Sequence, residues 1–91
     1  MTVNEQMYEE IADLLLKRIE ETDFFNGTVE YDTDGFCSSL VCTLLVRRDG
    51  ADGRIVSADP VWWEYRLHDG ERERQTDFSW SELYRCLEKR F

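Results

Sequence analysis

Four Asp-Gly pairs constrain this chain more than any other feature: Asp34-Gly35, Asp49-Gly50, Asp52-Gly53 and Asp69-Gly70. Glycine enters positive φ without steric cost, and Asp-Gly is a favoured dipeptide of tight turns between antiparallel strands. The pairs lie between segments of alternating apolar residues. The pattern therefore predicts consecutive hairpins joined by turns, each of the four glycines taking a turn position.

The segments between the turns read as strands. Asn26-Gly27 is expected to end a preceding helix and begin the first strand, in which Phe25, Val29 and Tyr31 share one phase and Thr28, Glu30 and Asp32 the other. The next segment is the clearest. Phe36, Leu40, Cys42, Leu44 and Val46 share one face, interrupted only by Ser38, while Cys37, Ser39, Val41, Thr43, Leu45 and Arg47 share the other. Such a segment predicts a central strand, apolar on its core side and mixed behind. After a turn over residues 48–53, a further strand begins at Arg54 and is disturbed by Pro60, which cannot donate to a ladder. It resumes with Val61, Trp63, Tyr65 and Leu67 toward the core, and Trp62, Glu64, Arg66 and His68 away from it. Asp69-Gly70 then closes a hairpin onto residues 71–75, whose charge suits an exposed edge strand.

Helical signals flank the strands. Thr2-Val3-Asn4-Glu5 reads as a capping box, and Met7, Ile11, Leu14, Leu15 and Ile19 form one apolar stripe of a helix running to about residue 21. Ser79-Trp80-Ser81-Glu82 reads as a second capping box, followed by a stripe of Trp80, Leu83, Tyr84, Leu87 and Phe91. The order α-β-β-β-(β)-α with short connections predicts one α+β domain over residues 1–91. It is a two-layer sandwich, an antiparallel meander of three to four strands with the N- and C-terminal helices on one face.

Charge narrows the partners. The chain carries 20 acids against 11 Lys and Arg, a net charge of −9. The acids concentrate in residues 1–36, where Lys17 and Arg18 are the only bases. Direct binding to a nucleic-acid backbone or an anionic membrane is disfavoured, and a partner protein with a basic surface is favoured. The apolar runs at 14–16 and 44–46 are too short to span a bilayer. Three cysteines leave one unpaired, and residues 1–6 lack the features of a leader, which together point to a reducing, cytoplasmic setting.

Few residues suggest catalysis or metal binding. Cys37 and Cys42 leave opposite faces of one strand, and the paired Cys/His spacings of zinc sites are missing. His68 follows no nucleophile motif. Asp32-Thr33-Asp34-Gly35 and the 49–53 segment lack the ligands of a calcium loop and read as turns. The expectation is a protein that is not an enzyme and takes no cofactor or metal.

Two surfaces stand out instead. Glu5, Glu9 and Asp13 follow i, i+4, i+8 with Glu10 alongside, and residues four apart on a helix lie about 6 Å from each other, near the spacing of successive phosphates. Glu20, Glu21 and Asp23, then Glu30, Asp32 and Asp34, extend that field. The other surface is centred on Trp62, expected on the uncovered sheet face with Glu64, Arg66, Val41 and Leu45, a composition typical of binding hot spots. The leading expectation is a non-enzymatic interaction module. In its most concrete form it is a small acidic inhibitor, a nucleic-acid mimic that binds a basic nucleic-acid-handling protein, as counter-defence and immunity proteins do. The alternatives are a homodimer or assembly subunit built on the sheet face around Trp62, and a small-ligand protein or enzyme with a pocket lined by Tyr31, Trp63, Tyr84 and His68.

Overall fold

A computed structural model of the protein describes residues 3–19, 22–33 and 35–91. Helix α1 (Glu5–Ile19) is followed by β1 (Phe24–Thr33), β2 (Phe36–Arg48), β3 (Ile55–Asp69), β4 (Arg72–Arg74) and helix α2 (Trp80–Glu88). The strands form one open antiparallel sheet in the order β1-β2-β3-β4, a meander with both helices on one face. This is the α+β arrangement implied by the succession of Asp-Gly turns and apolar alternation.

The core follows from the period-2 pattern of β2. Ser38, Leu40, Cys42, Leu44 and Val46 are buried, while the intervening residues are exposed or half-buried. Register places Phe25 opposite Leu44 and Val29 opposite Leu40 on one side, and Leu67 opposite Ser38 on the other. Against this layer α1 brings Met7, Ile11, Leu15 and Ile19, and α2 brings Leu83, Cys86 and Leu87. Fully burying a side chain of this class contributes roughly 1.5–3 kcal/mol, so the shared layer fixes which sheet face is covered.

Several local expectations are corrected. Thr2 lies outside the described residues, as do Glu20, Glu21 and Asp34. The cap of α1 is Asn4, whose Oδ1 accepts the Met7 N–H at 2.9 Å. Asn26-Gly27 does not precede β1 but lies inside it, opposite Thr43 and Cys42 in an unbroken ladder. A Cβ on Gly27 would stand 3.2 Å from the Phe25 ring and 3.4 Å from the Arg18 guanidinium, so glycine leaves room for both groups. Ser79 makes no side-chain cap to α2. Its N–H instead donates to the Tyr8 hydroxyl at 3.0 Å, tying α2 to α1 through tertiary structure.

The turns divide in a similar way. Gly35, Gly53 and Gly70 take positive φ of 80°, 73° and 63°, whereas Gly50 does not. Residues 49–54 are shaped by side chains, with Asp49 and Asp52 carboxylates accepting the N–H groups of Ala51 at 2.7 Å and Arg54 at 2.9 Å. In β3, Thr43 pairs with Trp62 but Leu44 pairs with Pro60, leaving Val61 as the extra residue of a bulge. Val61 is therefore 65% exposed and not part of the core. The bulge lets a strand contain a residue that cannot donate to its ladder. Residues 71–75 supply a shorter strand than expected, Arg72–Arg74, all exposed.

Candidate functional site

The face of the sheet opposite the helices carries no covering layer among the described residues, and strand alternation decides what stands on it. Register aligns Phe24 with Leu45, Asn26 with Thr43, Thr43 with Trp62, and Val41 with Glu64. Phe24, Leu45 and Trp62 are 54%, 50% and 51% exposed. Trp62 keeps the register of residues 63–68 and pairs with Thr43 just before the bulge, so the indole falls beside Thr43 and next to Leu45. Thr43 donates to Asn26 at 3.0 Å, joining β1 and β2 across this surface.

Charge lies beside the apolar patch and toward the far end of the strands. The strand residues on this face bring Glu30, Asp32, Asp59, Glu64 and Glu73 against Arg47 and Arg66. Both bases are already engaged. Arg66 donates to Glu64, with the nearest pair at 3.0 Å, and Arg47 donates to Ser57 Oγ at 2.9 Å. Trp62, Glu64 and Arg66 thus stand together as expected, on a surface that is apolar at the Phe24 end and acidic toward the Asp32 end.

The acidic stripe of α1 is arranged otherwise. Glu5, Glu9 and Asp13 do share one face, but that face meets the end of α2. Lys89 reaches Glu9 at 3.1 Å and Glu5 at 3.6 Å, while Arg90 reaches Asp13 at 2.7 Å and also binds Glu9. Arg90 further donates to the Cys86 carbonyl at 2.6 Å. The Arg90 guanidinium, followed by Lys89, holds the Glu9 carboxyl down at about 2. Glu10 remains exposed beside the pairs. Lys89 and Arg90 were not legible as partners of this stripe, because more than seventy residues separate them from it.

Glu5, Glu9 and Cys86 bring two carboxylates and a thiol within 4.8 Å of one another. This donor set resembles that of a divalent-metal site. Yet Lys89 and Arg90 already neutralise the carboxylates, and burial, then Glu9, pushes the Cys86 thiol up to about 11. A metal needs the thiolate, so these surroundings work against ligation.

The structure also pairs Cys37 directly opposite His68 on the uncovered face. The neighbouring Asp32 carboxylate raises the Cys37 thiol, the reverse of what nucleophilic activation requires. Tyr31, Trp63, Tyr84 and His68 do not line a common pocket: His68 belongs to the uncovered face, Tyr31 and Tyr84 pack on the core, and Trp63, expected in the core, is 37% exposed against Phe78 and Trp80. Tyr65 stacks on Phe78 at 4.2 Å with its rings 9° apart. Its hydroxyl is buried without a hydrogen-bond partner among the described residues. Ser38, whose hydroxyl donates to the Tyr31 carbonyl, lies near it.

No described helix is long and apolar enough to cross a membrane. Compared with models of protein families, with curated proteins and with solved structures, the chain matches none of them.

Proposed function

We propose that the protein is a non-enzymatic interaction module that presents its uncovered sheet face, centred on Trp62, to a partner protein with a basic surface. The observation that carries this reading is the exposure of Phe24, Leu45 and Trp62 side by side on a sheet face without a covering layer. Large aromatic and aliphatic groups surrounded by charge form the usual anatomy of an interface centre and rim. The carboxylates that share this face with the patch, in a chain of net charge −9, select for a cationic partner. A second copy of the chain would instead set like charges against each other. The α1 stripe supports a phosphate-mimicking role less well, because Lys89 and Arg90 offset its charge. Inhibition of a basic nucleic-acid-handling protein remains the narrower form of this reading, with the sheet face as the contact.

The test is capture of partners on immobilised protein, comparing the native chain with Trp62→Ala and with a Glu5→Gln, Glu9→Gln, Asp13→Gln variant. Loss of a cationic partner with Trp62→Ala alone is the expected result. Loss with the Gln variant alone would move the contact to α1. Self-association seen by sedimentation, with no other partner, would replace the reading by a homodimer.

A further inference from the structure

The two edges of this sheet differ. Along β3 the free edge is interrupted by Pro60 and by register shifts that displace Val61 and Val56, and β4 covers residues 67–69. Proline and bulges are the devices by which strand edges avoid pairing. Strand β1 has neither. It pairs with β2 in one unbroken register from Phe24 to Thr33, and among the described residues no strand lies on its outer side.

Two hydrogen bonds orient that edge. The Asp23 carbonyl accepts the Val46 N–H at 2.8 Å and so points inward, toward β2. The Thr28 carbonyl points outward, where the Arg18 guanidinium donates to it at 2.9 Å. Antiparallel alternation then sends the backbone N–H and C=O groups of Phe24, Asn26, Thr28, Glu30 and Asp32 outward as well. Their side chains all stand on the uncovered face. Native edges are commonly blunted with lysine; β1 itself carries Glu30 and Asp32 and no base, and the Arg18 guanidinium of α1 covers the edge at the Thr28 carbonyl.

We propose that the outer edge of β1 accepts an extended cationic segment of the partner protein as an additional strand. This rests on the interaction-module reading above and supplies its recognition mode. Alternate side chains of the incoming segment fall on the uncovered face. There, lysine or arginine meets Glu30 and Asp32, and an apolar residue meets Phe24, extending the patch of Leu45 and Trp62. Backbone pairing supplies affinity, and the acids select the sequence. A second copy of β1 would bring a strand that carries acids and no bases, which is why the occupant is a cationic strand of another protein.

A short synthetic peptide with lysines placed to face Glu30 and Asp32 and a valine placed to face Phe24 serves as the probe, read by residue-resolved amide hydrogen exchange. In the free protein the amides of Asn26, Thr28, Glu30 and Asp32 exchange fast while those of Phe25, Gly27, Val29 and Tyr31 are protected. With peptide at about ten times its Kd, the four outward amides slow about tenfold. A twin peptide N-methylated at its lysine backbone nitrogens loses this effect, as does a Glu30→Lys, Asp32→Lys variant of the protein. Equal binding by the methylated twin, or no slowing of the outward amides at millimolar peptide, overturns the proposal. Trp62→Ala separates this proposal from the reading it rests on. Protection of the β1 amides that survives Trp62→Ala keeps the edge and removes Trp62 from the interface. Binding that Trp62→Ala abolishes, without β1 protection in the native chain, overturns the edge and leaves the face reading standing.

Discussion

Glu9 offers the sharpest test of whether the acids of α1 are free to meet a partner. Arg90 and Lys89 both donate to its carboxylate and hold its pKa at about 2, against 4.5 for an ordinary glutamate. At about pH 3.5 an ordinary glutamate is only about 10% ionised, whereas Glu9 at about 2 is about 97% ionised. The carboxyl carbon shift of Glu9, followed by NMR from neutral pH downward, should therefore remain flat through the range where an exposed glutamate titrates. Arg90→Ala should restore most of an ordinary titration. The folded state binds the proton more weakly than the unfolded chain. The contribution of the clamp to stability is thus present above pH 4.5 and is lost as pH falls toward about 2. Urea unfolding at stepped pH should show that loss in the native chain and a smaller one in Arg90→Ala. A Glu9 carboxyl that titrates near 4.5 in the native protein would refute the clamp and return the α1 stripe to the solvent as a free acidic surface.

Leu44→Ala, at a fully buried position of the central strand, should cost roughly 2–5 kcal/mol in urea unfolding; a loss under about 1 kcal/mol would mean that β2 is not central. Trp62 is 51% exposed, which leaves about 125 Å² of a Trp side chain for a partner to bury, worth about 3 kcal/mol or roughly a hundredfold in Kd. Calorimetry of Trp62→Ala with the captured basic partner should show that weakening, and an unchanged Kd would place the contact elsewhere. Tyr65→Phe keeps the stacking on Phe78 and removes a buried hydroxyl that has no partner among the described residues, so stability should hold or rise by about 1 kcal/mol. A clear drop in its unfolding midpoint would reveal a hydrogen bond to that hydroxyl.

Strand phase was legible from residue order because a half-buried strand exposes every second side chain to water. Leu40, Cys42, Leu44 and Val46 could satisfy that rule only with one face covered. The same rule put Trp62, Glu64 and Arg66 together on the far side. It failed at Val61, where a bulge around Pro60 inserts one residue and breaks strict alternation. A bulge is a property of two paired strands, and one strand's sequence shows at most the proline that invites it. Ser79 illustrates another limit. Its sequence context fits a capping box, but the Tyr8 hydroxyl, 71 residues away, takes up its backbone N–H, so no local pattern could foretell the arrangement.

The sequence by itself determined the succession of elements, the covered face of the sheet and the side on which Trp62 stands, because these depend on local periodicity and turn chemistry. Only the tertiary structure decided the state of the acidic helix and of the sheet edges. Lys89 and Arg90 reach Glu9 and Asp13 only once α1 and α2 pack on the same core. The outer groups of β1 meet no further strand among the described residues, because the meander ends there, and Arg18 of α1 takes up the Thr28 carbonyl. Charge and strand pairing act through distances of a few ångströms, and residues far apart in the chain acquire those distances only when the core brings them together.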